Sequence, residues 1–507
     1  MASEVRGGET FLGLDIGTSS VKALLIDADQ RVVADVSTPL SLSRPHPLWS
    51  EQNPEDWVEG VEAAAAAVRR HAPQAFARLA GIGLSGQMHG ATFLDAGDAP
   101  LRPAILWNDG RAFAECAELE GRVPDFRRRA GNIAMPGFTA PKVLWVAVHE
   151  PNVFAATARV LLPKDFVRLR LSGEAVSDMS DASGTLWLDV AHRRWDDELL
   201  AASGLKRAHM PGLVEGSAVS AFLSPAVASA WGLAGRRIPI AGGAGDNAAS
   251  AVGVGAIQPG AGFVSLGTSG VIFSTTDRFV SLPERTLHAF CHALPGRWHA
   301  MAVMLSAASA LSWIASALGR ADDIGGCVEA AEAFARTPGA VAAAPVFLPY
   351  LSGERTPHND AAATGLFAGL RADHGADALI YAVLEGVAFA FADGVEVLAA
   401  AGARPRQSML VGGGARSGFW GQMIADATGL SIDLAAGAEA GAAFGAARLA
   451  MLAAGAGDED AVCRRPAIER QFVPDAARAA VHAPRLRRFR ALYAAEKAIR
   501  EAELRSM

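Results

Sequence analysis

Two acids and two glycine-rich turns carry the chemistry in this sequence. "GLDIGTSSVK" at residues 13–22 places Asp15 two residues ahead of a Gly17-Thr18-Ser19 turn. "SLGTSGV" at 265–271 repeats the turn as Gly267-Thr268-Ser269, with Ser265 where the acid stood. Turns of this kind present close-set N–H groups and hydroxyls, which form a concave anion site, and glycine lets an anion approach the backbone. A plain hairpin turn uses the same residues, so one copy decides nothing. Two copies in matched strand–turn–strand settings favour phosphate. A carboxylate beside a polyphosphate repels it unless a divalent cation lies between, and Mg²⁺ is held by one or two carboxylates with phosphates and water. Asp15 is therefore the expected metal ligand. One metal site suffices, so the second turn can carry Ser265. No GxxxxGK[ST] pattern occurs, which excludes a P-loop.

A third cluster, Gly412-Gly413-Gly414 in "MLVGGGARSGFWGQMIADATG", follows an apolar strand and opens a helix. It reads equally as a nucleotide contact at a helix start and as a tight strand-to-helix turn. Asp246-Asn247 in "AGGAGDNAAS" ends another apolar strand at the junction of the two halves. An Asp at a strand end in a cleft can take a proton from an attacking hydroxyl, and it can equally cap the helix that follows. "SGQMHG" at 85–90 offers Gln87, Met88 and His89, a polar and apolar mix suited to a polyhydroxylated ligand. "WNDGR" at 107–111 and "LSGERTPH" at 351–358 concentrate polar groups beside aromatic residues or prolines. Arg355 there suits phosphate or a buried ion pair.

These residues need strands to carry them. "FLGLDI", "VKALLI" and "RVVADV" read as an antiparallel meander. Asn53-Pro54-Glu55-Asp56 reads as a helix start, with a helix running to about Arg70. "LAGIGLSG" is a buried strand. The two Gly-Thr-Ser settings are 250 residues apart, so an ancient duplication is expected. Its products are two similar α/β domains, over 9–255 and 256–495, facing each other across a cleft, a common ligand site. Residues 300–319 are uncharged and of membrane-spanning length, but they divide into a strand, "WHAMAVML", and a helix with serines at 306, 309, 312 and 316. Near the end, Leu486, Phe489, Leu492 and Tyr493 share one helical face, for packing on their own domain or on a partner.

The 507 residues are 51% hydrophobic and 20% charged, with a formal net charge of -7. Such a balance gives no electrostatic reason for a nucleic acid or an anionic membrane as partner. Four scattered cysteines, Cys116, Cys291, Cys327 and Cys463, lack metal-type spacing and are expected as reduced thiols of a cytoplasmic protein. "MASEVRGGET" has no apolar core and does not read as a signal peptide.

From about Phe11 to Phe489 the chain resembles the FGGY carbohydrate kinase family, in its branch acting on D-xylulose. The likeness is carried by "RPHPLWSEQNPEDW", "GLSGQMHGATFLDA", "MPGFTAPKVLWV", "DMSDASGT", "GDNAASAVGVG", "CHALPGRWH", "LPYLSGERTPHN" and "LVGGGARSGFW". The resemblance implies two actin-like, ribonuclease-H-like ATPase domains around a nucleotide and sugar cleft. It implies ATP-dependent phosphorylation of D-xylulose at O5, with Mg²⁺. It makes Asp246 the proton acceptor and Met88, His89, Asp246 and Asn247 the sugar site. Asp15, Gly17, Thr18 and Ser19, with Gly267, Thr268 and Ser269, would face Mg-ATP phosphates. Gly413, Gly414 and Ser417 would lie on the nucleotide side. A homodimer is expected by analogy only. Residues 1–10 extend beyond the family's usual start, and "AGAEAGAAFGAA" replaces a stretch expected to contain proline. Two other readings stay open: a sister kinase for another ketose, a polyol or a sugar acid, and a switch ATPase of the actin or chaperone kind. "QMHG" argues against glycerol kinase, where the family carries an Arg-Glu pair.

Overall fold

The computed structural model describes residues 8–435 and 441–506. The first five residues of "AGAEAGAAFGAA" and most of the N-terminal ten lie outside that range. The opening meander forms as β1 (Thr10–Ile16), β2 (Ser20–Asp27) and β3 (Val32–Pro39). Each strand pairs antiparallel with the next. Helix α1 (Pro54–His71) starts where the sequence reading placed it, with Asn53 as its cap. It buries Trp57, Val61, Ala64 and Val68, the stripe that a 3.6-residue period presents to a sheet. β4 (Leu79–Gly86) then lies parallel to β1. β5 (Val219–Phe222) and β6 (Pro239–Ala241) complete a sheet of order β5-β6-β4-β1-β2-β3, with Ala244–Gly245 paired to the end of β4.

The second half repeats the plan. β7 (Ala261–Leu266), β8 (Gly270–Thr276), β9 (His288–Cys291), β10 (Trp298–Met304), β11 (Gln407–Val411), β12 (Ile432–Ala435) and β13 (Ile468–Phe472) pair in the order β9-β10-β8-β7-β11-β12-β13. The run β3-β2-β1-β4-β6 and the run β10-β8-β7-β11-β12 share one pattern. Two antiparallel pairings lead into two parallel ones. The 250-residue offset of the turns extends to their flanking strands, with Ser20 answering to Gly270, and the two sheets share the pairing pattern beyond them.

Residues 300–319 split into β10 and helix Ala308–Ala317, as their serine spacing implied. Among the described residues one helix, Ala376–Ala400, is long and apolar enough to cross a membrane. It is the central helix of the second core, buried from Ala378 to Leu398 with few gaps, and a helix enclosed on all sides needs no polar face. The C-terminal face resolves inward. Phe489 and Tyr493 pack with Tyr350 and Phe389 of their own half.

Two helices lie between the sheets. α2 (Asp246–Gly253) leaves the first sheet, and α3 (Gly441–Ala453) follows the second. α3 rests on β1 and β4 and on α2 with almost no side chain between the backbones. A methyl group on Gly83 would stand 1.8 Å from the Ala446 carbonyl oxygen, and one on Gly445 would stand 1.8 Å from that of Ala249. Arg448 of α3 donates to the carbonyls of Val252 (2.9 Å) and Gly253 (3.0 Å), satisfying the open end of α2. Each half therefore lends a helix to the seam, and α2 carries Asp246 at its head. Gly83→Ala is expected to cost about 1–3 kcal/mol through overpacking, lowering the melting temperature by about 2 °C or more in thermal unfolding. An unchanged melting temperature would show that the seam tolerates a side chain.

Candidate active site

Strand register explains how distant residues meet. β1, β4 and the Ala244–Gly245 strand run parallel, with Ile16 and Gly245 both beside Gly86. Their carboxyl ends therefore release the first Gly-Thr-Ser turn, the Gln87-Met88-His89 loop and Asp246 at one edge, where open α/β sheets hold ligands. In the second sheet, the ends of β7 and β11 release Gly267-Thr268-Ser269 and Gly412-Gly413-Gly414 in the same way.

A cavity of about 230 Å³ lies between the two halves, lined by Met88, His89, Trp107, Asp246, Asn247 and Ser269, among others. That is below the roughly 300–1,000 Å³ of drug-sized ligand sites and suits a small polyol or sugar. Asp246 is half-buried and accepts hydrogen bonds from the Asn247 backbone N–H (2.7 Å) and side-chain amide (2.9 Å). Burial raises its carboxyl above the ordinary value, and the Asn247 hydrogen bonds oppose this. The residue before it is held by a relay. Gly245 N–H donates to Ser180 Oγ (3.1 Å), whose hydroxyl donates to Asp178 (2.5 Å). Asp178 in turn meets the Lys164 ammonium at 2.7 Å, shared with Asp165 (2.6 Å) and Asp181 (2.9 Å). These three buried acids are close enough to hold a metal ion, but the lysine ammonium serves all three.

His89 has a positive φ of 68°, an uncommon conformation for a residue with a side chain. Its Nδ1 lies 2.8 Å from the Gly184 carbonyl. Burial, then the Lys142 charge, lower it to about 3. The ring is neutral at pH 7, so Nδ1 carries the proton toward the carbonyl and Nε2 is left as an acceptor. His288 Nδ1 is likewise paired, with Asn132 Oδ1 at 3.0 Å, and its buried Nε2 has no partner among the described residues. Glycine at 245 makes room for this arrangement, since a methyl group there would meet Met88 Sδ at 2.9 Å.

The first turn is braced from below. Thr18 Oγ1 donates to Gln87 (2.8 Å) and accepts from Trp107 Nε1 (2.9 Å), while Gln52 joins Gln87, Trp57 and the Thr18 carbonyl. The Thr18 hydroxyl is thereby engaged, and the N–H groups of Thr18 and Ser19 take no acceptor among the described residues. The second turn gives its carbonyls to the start of helix Ala308–Ala317: Gly267 O accepts from Ala308, and Thr268 O accepts from Ala307 and Ser309. Asp15 is half-buried with Oδ1 shielded and unpartnered among the described residues. Burial, then the charge of Asp246, push it up to about 6, against the Ser85 hydroxyl and the Lys22 ammonium. Asp15 does not line the cavity of about 230 Å³, but it stands near enough to Asp246 to feel its charge.

A second cavity of about 890 Å³ lies beyond, lined by Ser265, Gly412, Gly413, Ala415, Arg416 and Gly441, among others. Gly413 opens onto space, whereas a methyl group on Gly414 would strike Leu266 at 2.4 Å. Ser417 caps helix Gly418–Thr428 by accepting from Trp420 N–H at 3.1 Å, and neither Gly414 nor Ser417 lines this cavity. The structure thus brings Met88, His89, Asp246, Asn247 and Ser269 to one cavity, with Asp15 beside it and Gly413 in the other. Sequence reasoning missed the lining by Phe138 and His288 and the brace on Thr18. An aromatic ring offers no local signal of which surface it will face.

Comparison with known proteins agrees with this geometry. Residues 10–253 match the N-terminal domain of the FGGY family of carbohydrate kinases, and residues 262–454 match its C-terminal domain. The xylulose kinase of Escherichia coli K12 is 50% identical over 95% of this chain and 98% of its own length. A solved kinase structure from Brucella ovis superposes with a TM-score of 0.93 at 49% identity, covering 97% of this chain and 100% of that one. The xylulose kinase structure from Rhodospirillum rubrum does so with a TM-score of 0.89 at 32% identity, covering 97% and 99%. The doubled sheet, the paired turns and the cleft between them are those of a sugar kinase, and the chain belongs to the FGGY family of carbohydrate kinases.

Proposed function

We propose that this chain transfers the γ-phosphoryl group of ATP to the C5 hydroxyl of D-xylulose, with Asp246 as general base. The observation that carries the reading is the place of Asp246: in a cavity of about 230 Å³, between the sugar-facing Met88 and His89 and the second phosphate turn at Ser269. The likeness to xylulose kinases of known sequence over nearly the whole chain supports D-xylulose over other acceptors. It also disfavours a switch ATPase.

Asp246 takes the proton from the C5 hydroxyl as that oxygen attacks the γ-phosphorus. The bond from the γ-phosphorus to the bridging oxygen breaks and ADP leaves. The helix start orients the Asp246 carboxylate through Asn247. His89 Nε2 accepts from a sugar hydroxyl. The free N–H groups of the two turns face the phosphates. Closure of the halves over the α2–α3 seam excludes water that would otherwise receive the phosphoryl group. The shielded, unpartnered Asp15 oxygen fits a divalent cation. Asp15 would hold Mg²⁺ there with ATP phosphates and water, and the ion would offset phosphate charge.

Asp246→Asn is expected to lower kcat by about 10²–10⁴ with KM for D-xylulose little changed, measured as sugar-dependent ADP release. Near-normal kcat would remove Asp246 from the base role. In the wild type, the acid limb of kcat/KM should lie above the ordinary carboxylate pKa of about 4, because burial raises the base. Asp15 gives a stability prediction. Its folded value of about 6 exceeds its ordinary 3.8, so the folded state binds this proton more tightly than the unfolded chain. The resulting stabilisation is full below about pH 4 and is lost as pH rises through 6. Asp15→Asn should therefore raise the melting temperature at pH 8 by about 2 °C or more and by less at pH 5, in scans without nucleotide. An equal shift at both pH values would mean that Asp15 is not held in a charge-repelling site.

A further inference from the structure

We propose that Arg355 reads the ketone oxygen at C2 of the sugar, in the cavity it shares with His288 and Asp246, and so selects a ketose over the matching polyol. The inference rests on Asp246 acting at C5.

Arg355 lines the same cavity as Asp246 and His288. Its guanidinium makes no hydrogen bond or ion pair among the described residues, although the loop that carries it is laced down on every side. Thr356 N–H donates to the Val303 carbonyl (3.0 Å), and Val303 N–H donates back to Thr356 Oγ1 (3.0 Å). Thr356 Oγ1 donates to Thr286 O (2.9 Å), and Thr286 Oγ1 donates to Arg355 O (2.7 Å). The preceding acid is no counter-ion. Glu354 makes no ion pair with the guanidinium: its Oε1 accepts from the N–H groups of Leu305 (2.9 Å) and Arg355 (2.7 Å), and burial raises its carboxyl to about 8, against those hydrogen bonds and the Arg355 charge. A sheltered cation without a partner is costly, and a rigid loop that maintains one points to a ligand that supplies the acceptor.

The chemistry of the substrate names that acceptor. The furanose ring of a ketopentose uses O5 as its ring oxygen, so phosphorylation at O5 requires the open chain. The open chain has a free ketone at C2, which can only accept hydrogen bonds, flanked by hydroxyls that can donate. Around Arg355 the cavity offers the complement. The guanidinium donates, while His89, with its Nδ1 engaged by the Gly184 carbonyl, keeps an unprotonated Nε2 as an acceptor. Thr286, whose hydroxyl holds the Arg355 carbonyl, stands two residues ahead of His288 at the start of β9, so the loop that carries the arginine lies against the histidine side of the cavity. The planar fork of Arg suits an in-plane sp² oxygen better than the tetrahedral C2 hydroxyl of a polyol.

The test compares D-xylulose with xylitol, the polyol that lacks only the ketone, as substrate and as competitive inhibitor. In the wild type, the inhibition constant of xylitol should exceed KM for D-xylulose by about tenfold or more, since a hydrogen bond to a charged group contributes about 1.5–3 kcal/mol. Arg355→Met should raise KM for D-xylulose about ten- to hundredfold. It should leave KM for ATP within about twofold and weaken xylitol clearly less than the ketose. Arg355→Lys, which keeps the cation, should fall between. Equal losses for ketose and polyol would overturn the assignment. So would a rise in KM for ATP with the ketose unaffected, or a wild type that binds xylitol as tightly as D-xylulose. A wild type that releases ADP with another sugar and not with D-xylulose would instead sink the substrate reading on which this inference stands.

Discussion

Asp15 and Asp246 stand at one edge of the first sheet, near the carboxyl ends of β1 and the Ala244–Gly245 strand, close enough for their like charges to interact, and much of this structure serves to keep them there. Burial, and then the charge of Asp246, raise Asp15, and the Ser85 hydroxyl and the Lys22 ammonium offset this only in part. Two acids held in this way favour a guest that brings positive charge on one side and a transferable proton on the other. A metal-bound polyphosphate and a sugar hydroxyl are such guests. The second sheet needs no such acid, and there Ser265 occupies the matching place. Asp15 and Ser265 stand at equivalent ends of β1 and β7, so on the proposed reading the asymmetry between the two turns is that of the reaction.

Holding the acids in place falls to packing that admits no slack. The seam of α2 and α3 brings backbones together where glycine replaces side chains, so that a shift of one half is passed directly to the head of α2. From the other side, the buried Lys164 network fixes Gly245 through Asp178 and Ser180. A buried ion cluster of this type adds little net stability but fixes geometry, and fixed geometry next to the base is worth more to a kinase than stability. The cavity then divides its labour. In the proposed reading, Asp246 addresses the hydroxyl that reacts, while His89 and Arg355 address the part of the sugar that does not.

What could be read from the residues alone follows from range. The Gly-Thr-Ser turns, the meander and α1 were legible because each depends on neighbours in sequence. The doubling was legible because the turn carries its strands with it. Asp246 was ambiguous between cap and base for a physical reason: it opens a helix and faces the cavity at once. The brace on Thr18 was not legible, since Gln52, Trp57 and Gln87 meet only after β4 has paired with β1. Arg355 suggested phosphate or an ion pair, and only the folded loop shows that no carboxylate among the described residues pairs with it. "GGGARSG" reads as one nucleotide motif, yet its members divide in the fold. Gly413 opens onto the large cavity, Gly414 packs on Leu266, and Ser417 caps a helix. Helix Ala376–Ala400 lacks a polar stripe because the core surrounds it, and so periodicity gives it no signature.

The most direct measurement is to incubate the protein with ATP, Mg²⁺ and D-xylulose and to locate the phosphate on the product by ³¹P and ¹³C NMR. A base and a carbonyl reader that share one cavity predict a single product phosphorylated at C5. Phosphate at C1, or ATP hydrolysed to inorganic phosphate with the sugar untouched, would contradict the account.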